Sequence, residues 1–144
     1  MKVSEALPSV PCLLKFPQTG DAHTGFTTTA TPPALPFQVA RTYWTYLTPD
    51  EVLRGHHAHR ALEQVLFAVS GSLEITLENP AGARLHFTLT QPDEGLYITG
   101  PYWRTIRFQN QAVLLCLASQ PYSEASYIRD YATFRSLAAQ PLVS

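Results

Sequence analysis

Short apolar runs alternating with polar positions dominate this chain from Phe37 onward. Leu73, Ile75 and Leu77 fall on one side of an extended segment, with Glu74, Thr76 and Glu78 on the other, the period of two expected of a strand with one buried face. Similar runs rich in β-branched, aromatic and aliphatic residues occupy 37–47, 64–69, 85–89, 96–99, 105–108 and 113–119. Turn signals separate them: Pro49-Asp50, Ser70-Gly71-Ser72, Asn79-Pro80-Ala81-Gly82, the stretch 91–95 and Gln109-Asn110. Strands of this length at this spacing predict an all-β sandwich or barrel. Two regions depart from the pattern. The segment 27–36 holds three prolines, which cannot join a sheet interior, and reads as an extended loop closing an N-terminal arm with one or two short strands. At the other end, Tyr127, Ile128, Tyr131, Phe134 and Leu137-Ala138 approach helical spacing, predicting a short helix within 122–140 that packs on the barrel. The expected organisation is a single domain over 1–144: arm and loop 1–36, barrel 37–121, C-terminal segment 122–144.

Composition narrows the class. The chain has 144 residues, 45% hydrophobic and 15% charged, with net charge −1, which fits one lightly charged globular domain. Without a basic tract it lacks the electrostatic footprint of a nucleic-acid binder. The longest unbroken apolar run, 112–118, is far short of the roughly 20 residues of a membrane span. Pro8 and Pro11 interrupt any signal-peptide core. Cys12 and Cys116 make no disulfide framework, so a reducing cytoplasm is the expected location.

Candidate chemistry concentrates in Arg54–Gln64, RGHHAHRALEQ. On a strand, His57 and His59 project to one face, about 6.6–6.8 Å apart along the backbone, and His56 to the other. Two imidazoles converging inside a barrel can hold a metal or move protons. On an edge strand they are only two solvated side chains. Gly55, His57-x-His59, Gln64 and Gly71 resemble the first signature of the cupin superfamily of jelly-roll barrels; Gly95, Pro101 and Asn110 keep the spacing of the second. Gln64, however, stands where a cupin metal site has a glutamate, and Ile106 where it has its last histidine. Two imidazoles and an amide oxygen make a weak metal site. Glu63 is turned away from Gln64 by strand alternation. The expectation is therefore no metal and no cofactor, with the histidines kept for acid/base work.

Further segments sharpen the resemblance: Leu35-Pro-Phe37, Arg41-Thr-Tyr43, Arg54–Arg60, Gln64, Gly71-Ser72, Glu94–Ile98, Trp103, and Tyr122-x-Glu124-x-x-Tyr127-Ile-Arg129-x-Tyr131. In this order they resemble the metal-free cupin 3,4-ketoisomerases of nucleotide sugars, the WxcM-like group acting on dTDP-4-keto-6-deoxyglucose. The resemblance implies a cytoplasmic homodimer that moves the sugar carbonyl from C4 to C3 through an enediolate, in deoxyamino-sugar biosynthesis. By the same resemblance His57 is the candidate base and Tyr43 a relay between O3 and O4. His59, on the same face, would protonate C4 or orient the enediolate. Arg41, Arg54 and Arg60 suit a diphosphate. Gln64 is expected to hydrogen-bond the sugar or to satisfy a buried position, and Tyr97 and Trp103 to stack on thymine or pack the barrel mouth. Family members commonly carry an Arg-Gly pair shortly after the aspartate matched by Asp21; His23-Thr24 replaces it here, and His23 is counted among the substrate contacts. Glu124, Tyr127, Arg129 and Tyr131 are expected to pin the C-terminal segment to the barrel. The competing readings are a cupin 3- or 5-epimerase of the same sugar, a non-catalytic carbohydrate-binding cupin, and a metal-dependent cupin dioxygenase, which Ile106 and Gln64 disfavour.

Overall fold

A computed structural model describes residues 11–139; the outermost parts of the expected arm and C-terminal segment, 1–10 and 140–144, lie outside the described residues. The described residues form ten strands: β1 (Cys12–Lys15), β2 (Gln18–Asp21), β3 (Gly25–Thr28), β4 (Arg41–Thr45), β5 (Leu53–His59), β6 (Gln64–Glu78), β7 (Arg84–Leu89), β8 (Glu94–Ile98), β9 (Trp103–Ala118) and β10 (Tyr127–Ile128). The antiparallel pair β6/β9 is the spine. Its first half is flanked by β8, β1 and β4, its second by β7, β5 and β10.

Two pairs of expected strands are thus single long ones. Ser70-Gly71-Ser72 and Asn110-Gln111 face each other across the spine, where the β6/β9 register shifts. Gly71, Asn110 and Gln111 all have positive φ, so turn-forming residues bend both strands here without reversing either. The bend needs glycine: a Cβ at Gly71 would sit 2.6 Å from Ala112 Cα. It also folds the halves of the spine over one another. Leu66, Leu96 and Leu114 from one half share a core with Leu73, Ile75 and Phe108 from the other, which is the two-layered enclosure of a jelly roll.

The face predicted by alternation, Leu73, Ile75 and Leu77, is the buried one. On the outer side of the first half, Val65, Phe67, Tyr97 and Leu117 are covered by Phe16, Leu35 and Phe37 from the N-terminal segment. That segment contributes three strands: β1 on the sheet edge beside β8, and the exposed β2–β3 hairpin. In the C-terminal segment the helix is shorter than its periodicity predicted. It spans Tyr131–Ser136, capped by the Asp130 carboxylate accepting from Thr133 N–H, and a 3-10 turn follows. Tyr127-Ile128 instead pairs with Ala58-His59 as a strand, because it closes the free edge of β5. Phe134, fully buried with Ala58 and Ile128, docks the helix. Among the described residues no helix is long and apolar enough to cross a membrane.

Candidate active site

Between the two layers, where β4, β5, β9 and β10 meet, lies a cavity of about 320 Å³. His57 stands in its wall, and its placement begins with Gly55. Gly55 has φ 101°, its Cβ position only 2.6 Å from the Arg104 carbonyl oxygen, so no other residue fits without parting β5 from β9. The irregular register between Gly55 and His57 turns His56 outward at φ 54°. The Gly55 carbonyl then lies 3.0 Å from His57 Nδ1. A carbonyl only accepts, so Nδ1 carries the proton and Nε2 keeps its lone pair. Burial and, after it, the Arg104 charge push the His57 pKa down to about 4. The imidazole is therefore neutral, and a base, throughout the physiological range.

Arg104 exposes 3% of its surface and yet reaches the cavity. Among the described residues no carboxylate pairs with it; it donates to Gln64 Oε1, and its Nε has no partner there. Gln64 in turn faces the Tyr43 hydroxyl through Nε2, at 3.4 Å. Burial raises the Tyr43 pKa well above the ordinary phenol value, so the hydroxyl stays protonated. One neutral base and one protonated donor thus share a wall with an unpaired cation.

The mouth is cationic. Arg41, Arg54 and Arg129 line it. Arg129 is held by the Glu124 carboxylate through Nε at 2.6 Å and a second guanidinium nitrogen at 3.1 Å, and lies 4.3 Å from the centre of the Tyr127 ring. Arg41 stacks 4.5 Å from the Tyr43 ring centre. Guanidinium groups at a half-open rim match a phosphate or diphosphate.

The donor set does not fit the divalent ion of metal-bearing cupins. The Gln64 oxygen is taken by a guanidinium, which adds a positive charge where a metal would need a negative one. Ile106 presents hydrocarbon to the cavity. Among the described residues no three His, Cys, Asp or Glu side chains gather as a ligand group.

The family described as WxcM-like, C-terminal (FdtA) matches residues 10–139. The chain belongs to this family. It is 36% identical over 107 residues to the TDP-4-oxo-6-deoxy-alpha-D-glucose-3,4-oxoisomerase of Aneurinibacillus thermoaerophilus, covering 74% of this chain and 76% of that one. Its structure is similar to that of a 3,4-ketoisomerase from Helicobacter canadensis, with TM-score 0.84, 37% identity, and 91% and 98% of the two chains covered. It is also similar to a histidine-to-asparagine variant of the Thermoanaerobacterium thermosaccharolyticum 3,4-ketoisomerase in complex with TDP-4-keto-6-deoxyglucose, with TM-score 0.85, 33% identity, and 96% and 100% covered.

Within this WxcM-like chain the expected site residues separate. His57, Tyr43, Arg41 and Arg54 meet at the cavity. His59 shares the face of His57, ring centres 5.0 Å apart, but lies a layer deeper. It exposes 1% of its surface, packs 4.3 Å from Tyr127, and neither ring nitrogen has a partner. Burial, then Arg104 and His57, push its pKa down to about 3. Gln64, also 1% exposed, sits behind Tyr43 and off the cavity wall. The remaining four are elsewhere. Alternation along β8 turns Tyr97 to the outer side, where it stacks on Phe37 and donates to Glu63 at 2.6 Å. Trp103 packs against Tyr131 and Phe134 of the C-terminal helix. Arg60 is exposed beyond the end of β5, and His23 lies at the tip of the β2–β3 hairpin, bonded to Asp21.

Two arginines and a tyrosine of the cavity wall were not among the expected site residues: Arg104, Arg129 and Tyr127. Arg104 had a signal, since it lies two residues before Ile106 on the same inward face of β9. Tyr127 and Arg129, expected only to pin the tail, reach the site because β10 pairs with β5 and sets Tyr127 opposite His59.

Proposed function

We propose that this chain is an isomerase that converts a dTDP-linked 4-keto-6-deoxyglucose into its 3-keto isomer. The observation that carries this is the wall shared by His57, with Nε2 unprotonated, and Tyr43, with its hydroxyl protonated, beneath a cationic rim. The hydrogen on C3 is acidified by the neighbouring C4 ketone. His57 Nε2 removes it, the C3–H electrons form the C3–C4 double bond, and the C4 oxygen gains the negative charge. The Tyr43 hydroxyl, a neutral donor, stabilises that oxygen, and the Arg104 charge lowers the energy of the enediolate as a whole. The O3 hydrogen passes to O4 by way of Tyr43, C3 becomes the carbonyl, and a proton returns to C4. The His57 imidazolium is the nearest acid for that return; His59 supports it from the layer behind. Arg41, Arg54 and Arg129 hold the diphosphate.

Incubation with dTDP-4-keto-6-deoxyglucose, followed by NMR, tests the reading. The expected product has its carbonyl at C3. A product that keeps the C4 carbonyl and is inverted at C3 or C5 would make the protein an epimerase, and unchanged sugar that nonetheless binds would make it a non-catalytic binder.

The same reading makes the protein a homodimer with the N-terminal segment against the partner barrel. Supporting it, the outer face leaves Phe26, Trp44, Tyr46 and Val69 exposed, and Phe26, Val69 and Leu115 line an apolar hollow of about 540 Å³ there. Apolar area of this kind on a small domain marks an interaction surface. Sedimentation at micromolar concentration is expected to show a dimer; a monomer would overturn this part.

A further inference from the structure

We infer that Gln64 is a positioning residue: locked by Arg104, its amide holds the Tyr43 hydroxyl as a donor into the cavity. The inference rests on the ketoisomerase reading and concerns how that reaction is kept ready, not whether it occurs. An Arg guanidinium can only donate, so the Gln64 atom facing Arg104 must be the carbonyl oxygen. That leaves the amide nitrogen, a pure donor, facing Tyr43 Oη at 3.4 Å and Cys116 Sγ at 3.4 Å. The phenol oxygen is then the acceptor of this bond, and its own proton cannot point back toward Gln64. Leu66, Phe108 and Leu114 supply only hydrocarbon to the surrounding cavity wall, and the Cys116 sulfur beside the hydroxyl, already accepting from Gln64, is a weak acceptor. A ligand oxygen is the stronger acceptor for the proton. Burial makes the arrangement rigid, since both Gln64 and Arg104 are almost wholly enclosed.

The same arrangement gives a physical reason for the amide at this position. A carboxylate would pair with Arg104 through one oxygen and accept the Tyr43 proton with the other. The hydroxyl would be turned from the substrate to the protein wall. Charge would be better balanced and the catalyst worse.

The test is Gln64→Glu measured alone and in a Tyr43→Phe background, with dTDP-4-keto-6-deoxyglucose as substrate. Removing one donor from a developing oxyanion typically costs about 10²–10³-fold in kcat. Gln64→Glu is therefore expected to lower kcat about a hundredfold, with KM changed less than about threefold, because the rim arginines are untouched. In the Tyr43→Phe background the same substitution is expected to have little further effect, since the proton it redirects is already gone. Full kcat in Gln64→Glu, or losses that simply multiply in the double variant, would overturn the inference. Should the buried carboxylate prevent folding, Gln64→Met carries the test. It removes the orienting amide, and its loss of kcat must likewise disappear in the Tyr43→Phe background. An inactive parent protein would instead sink the functional reading itself, so the two failures are distinguishable.

Discussion

Asparagine in place of His57 is expected to slow isomerisation at least about a hundredfold while nucleotide affinity changes little, because general-base catalysis typically supplies about 10²–10⁴-fold. Asparagine preserves a donor for the Gly55 carbonyl that now accepts from Nδ1, but it has no titratable nitrogen. Exchange of the C3 hydrogen into deuterated water should vanish together with turnover, as both begin with the same proton removal. His59→Asn provides the contrast: with His57 intact, exchange at C3 is expected to persist even if isomer formation falls. Retained turnover in the His57 variant would remove that residue from the mechanism, and an equal loss of binding and rate would make it a binding residue. The acid limb of the parent rate profile is expected near pH 4, not near 6.5, since burial and Arg104 hold the His57 pKa at about 4. Stability follows the same groups. Both histidines have folded-state pKa values below the usual 6.5. The unfolded chain therefore takes up protons first on acidification, and stability present above about pH 6.5 is lost progressively toward about pH 3.

Phe134→Ala is expected to cost about 3–5 kcal/mol, the usual range for a buried phenylalanine, and to lower Tm on the order of 10 °C for a domain of this size. Phe134 is wholly buried, against Trp103 and Tyr131 and in a cluster with Ala58 and Ile128. It anchors the segment that carries Tyr127 and Arg129 into the cavity, so kcat/KM should fall along with stability. Differential scanning calorimetry and steady-state kinetics on the same sample check both. A variant with parental Tm and activity would show that the helix is an appendage and that β10 holds the tail unaided.

The strands were legible wherever one face is buried. Leu73-Ile75-Leu77 named its own inner side because a pleated strand alternates with a period of two, and neither register nor partner strand changes which residues share a face. The His57/His59 pair was legible for the same reason. Less legible were the bends. Ser70-Gly71-Ser72 and Gln109-Asn110 carry ordinary turn chemistry, and a local pattern cannot tell a chain reversal from a kink that two long strands share. The C-terminal periodicity misled over Tyr127-Ile128, since pairing with the open edge of β5 outweighed a weak local preference for helix.

The site divides along the same line. Ile106 and Gln64 at metal-ligand positions, and two imidazoles on one face, are properties of residue identity and spacing, so both were visible in the chain. Depth was not. His57 in the wall and His59 behind it lie on the same face of one strand, and what covers each depends on Tyr127, brought over from a segment remote in sequence. Tyr97 and Trp103, aromatic residues suited to stacking, were drawn away by the outer side of β8 and by the docked helix. Arg104 acquires its setting from packing alone: an arginine at a strand position is ordinary, and here the fold encloses it with no carboxylate among the described residues, bound to the oxygen of the Gln64 amide whose nitrogen faces Tyr43. Alternation tells a residue which face it occupies, whereas burial, charge pairing and proton direction depend on what the rest of the chain places against that face.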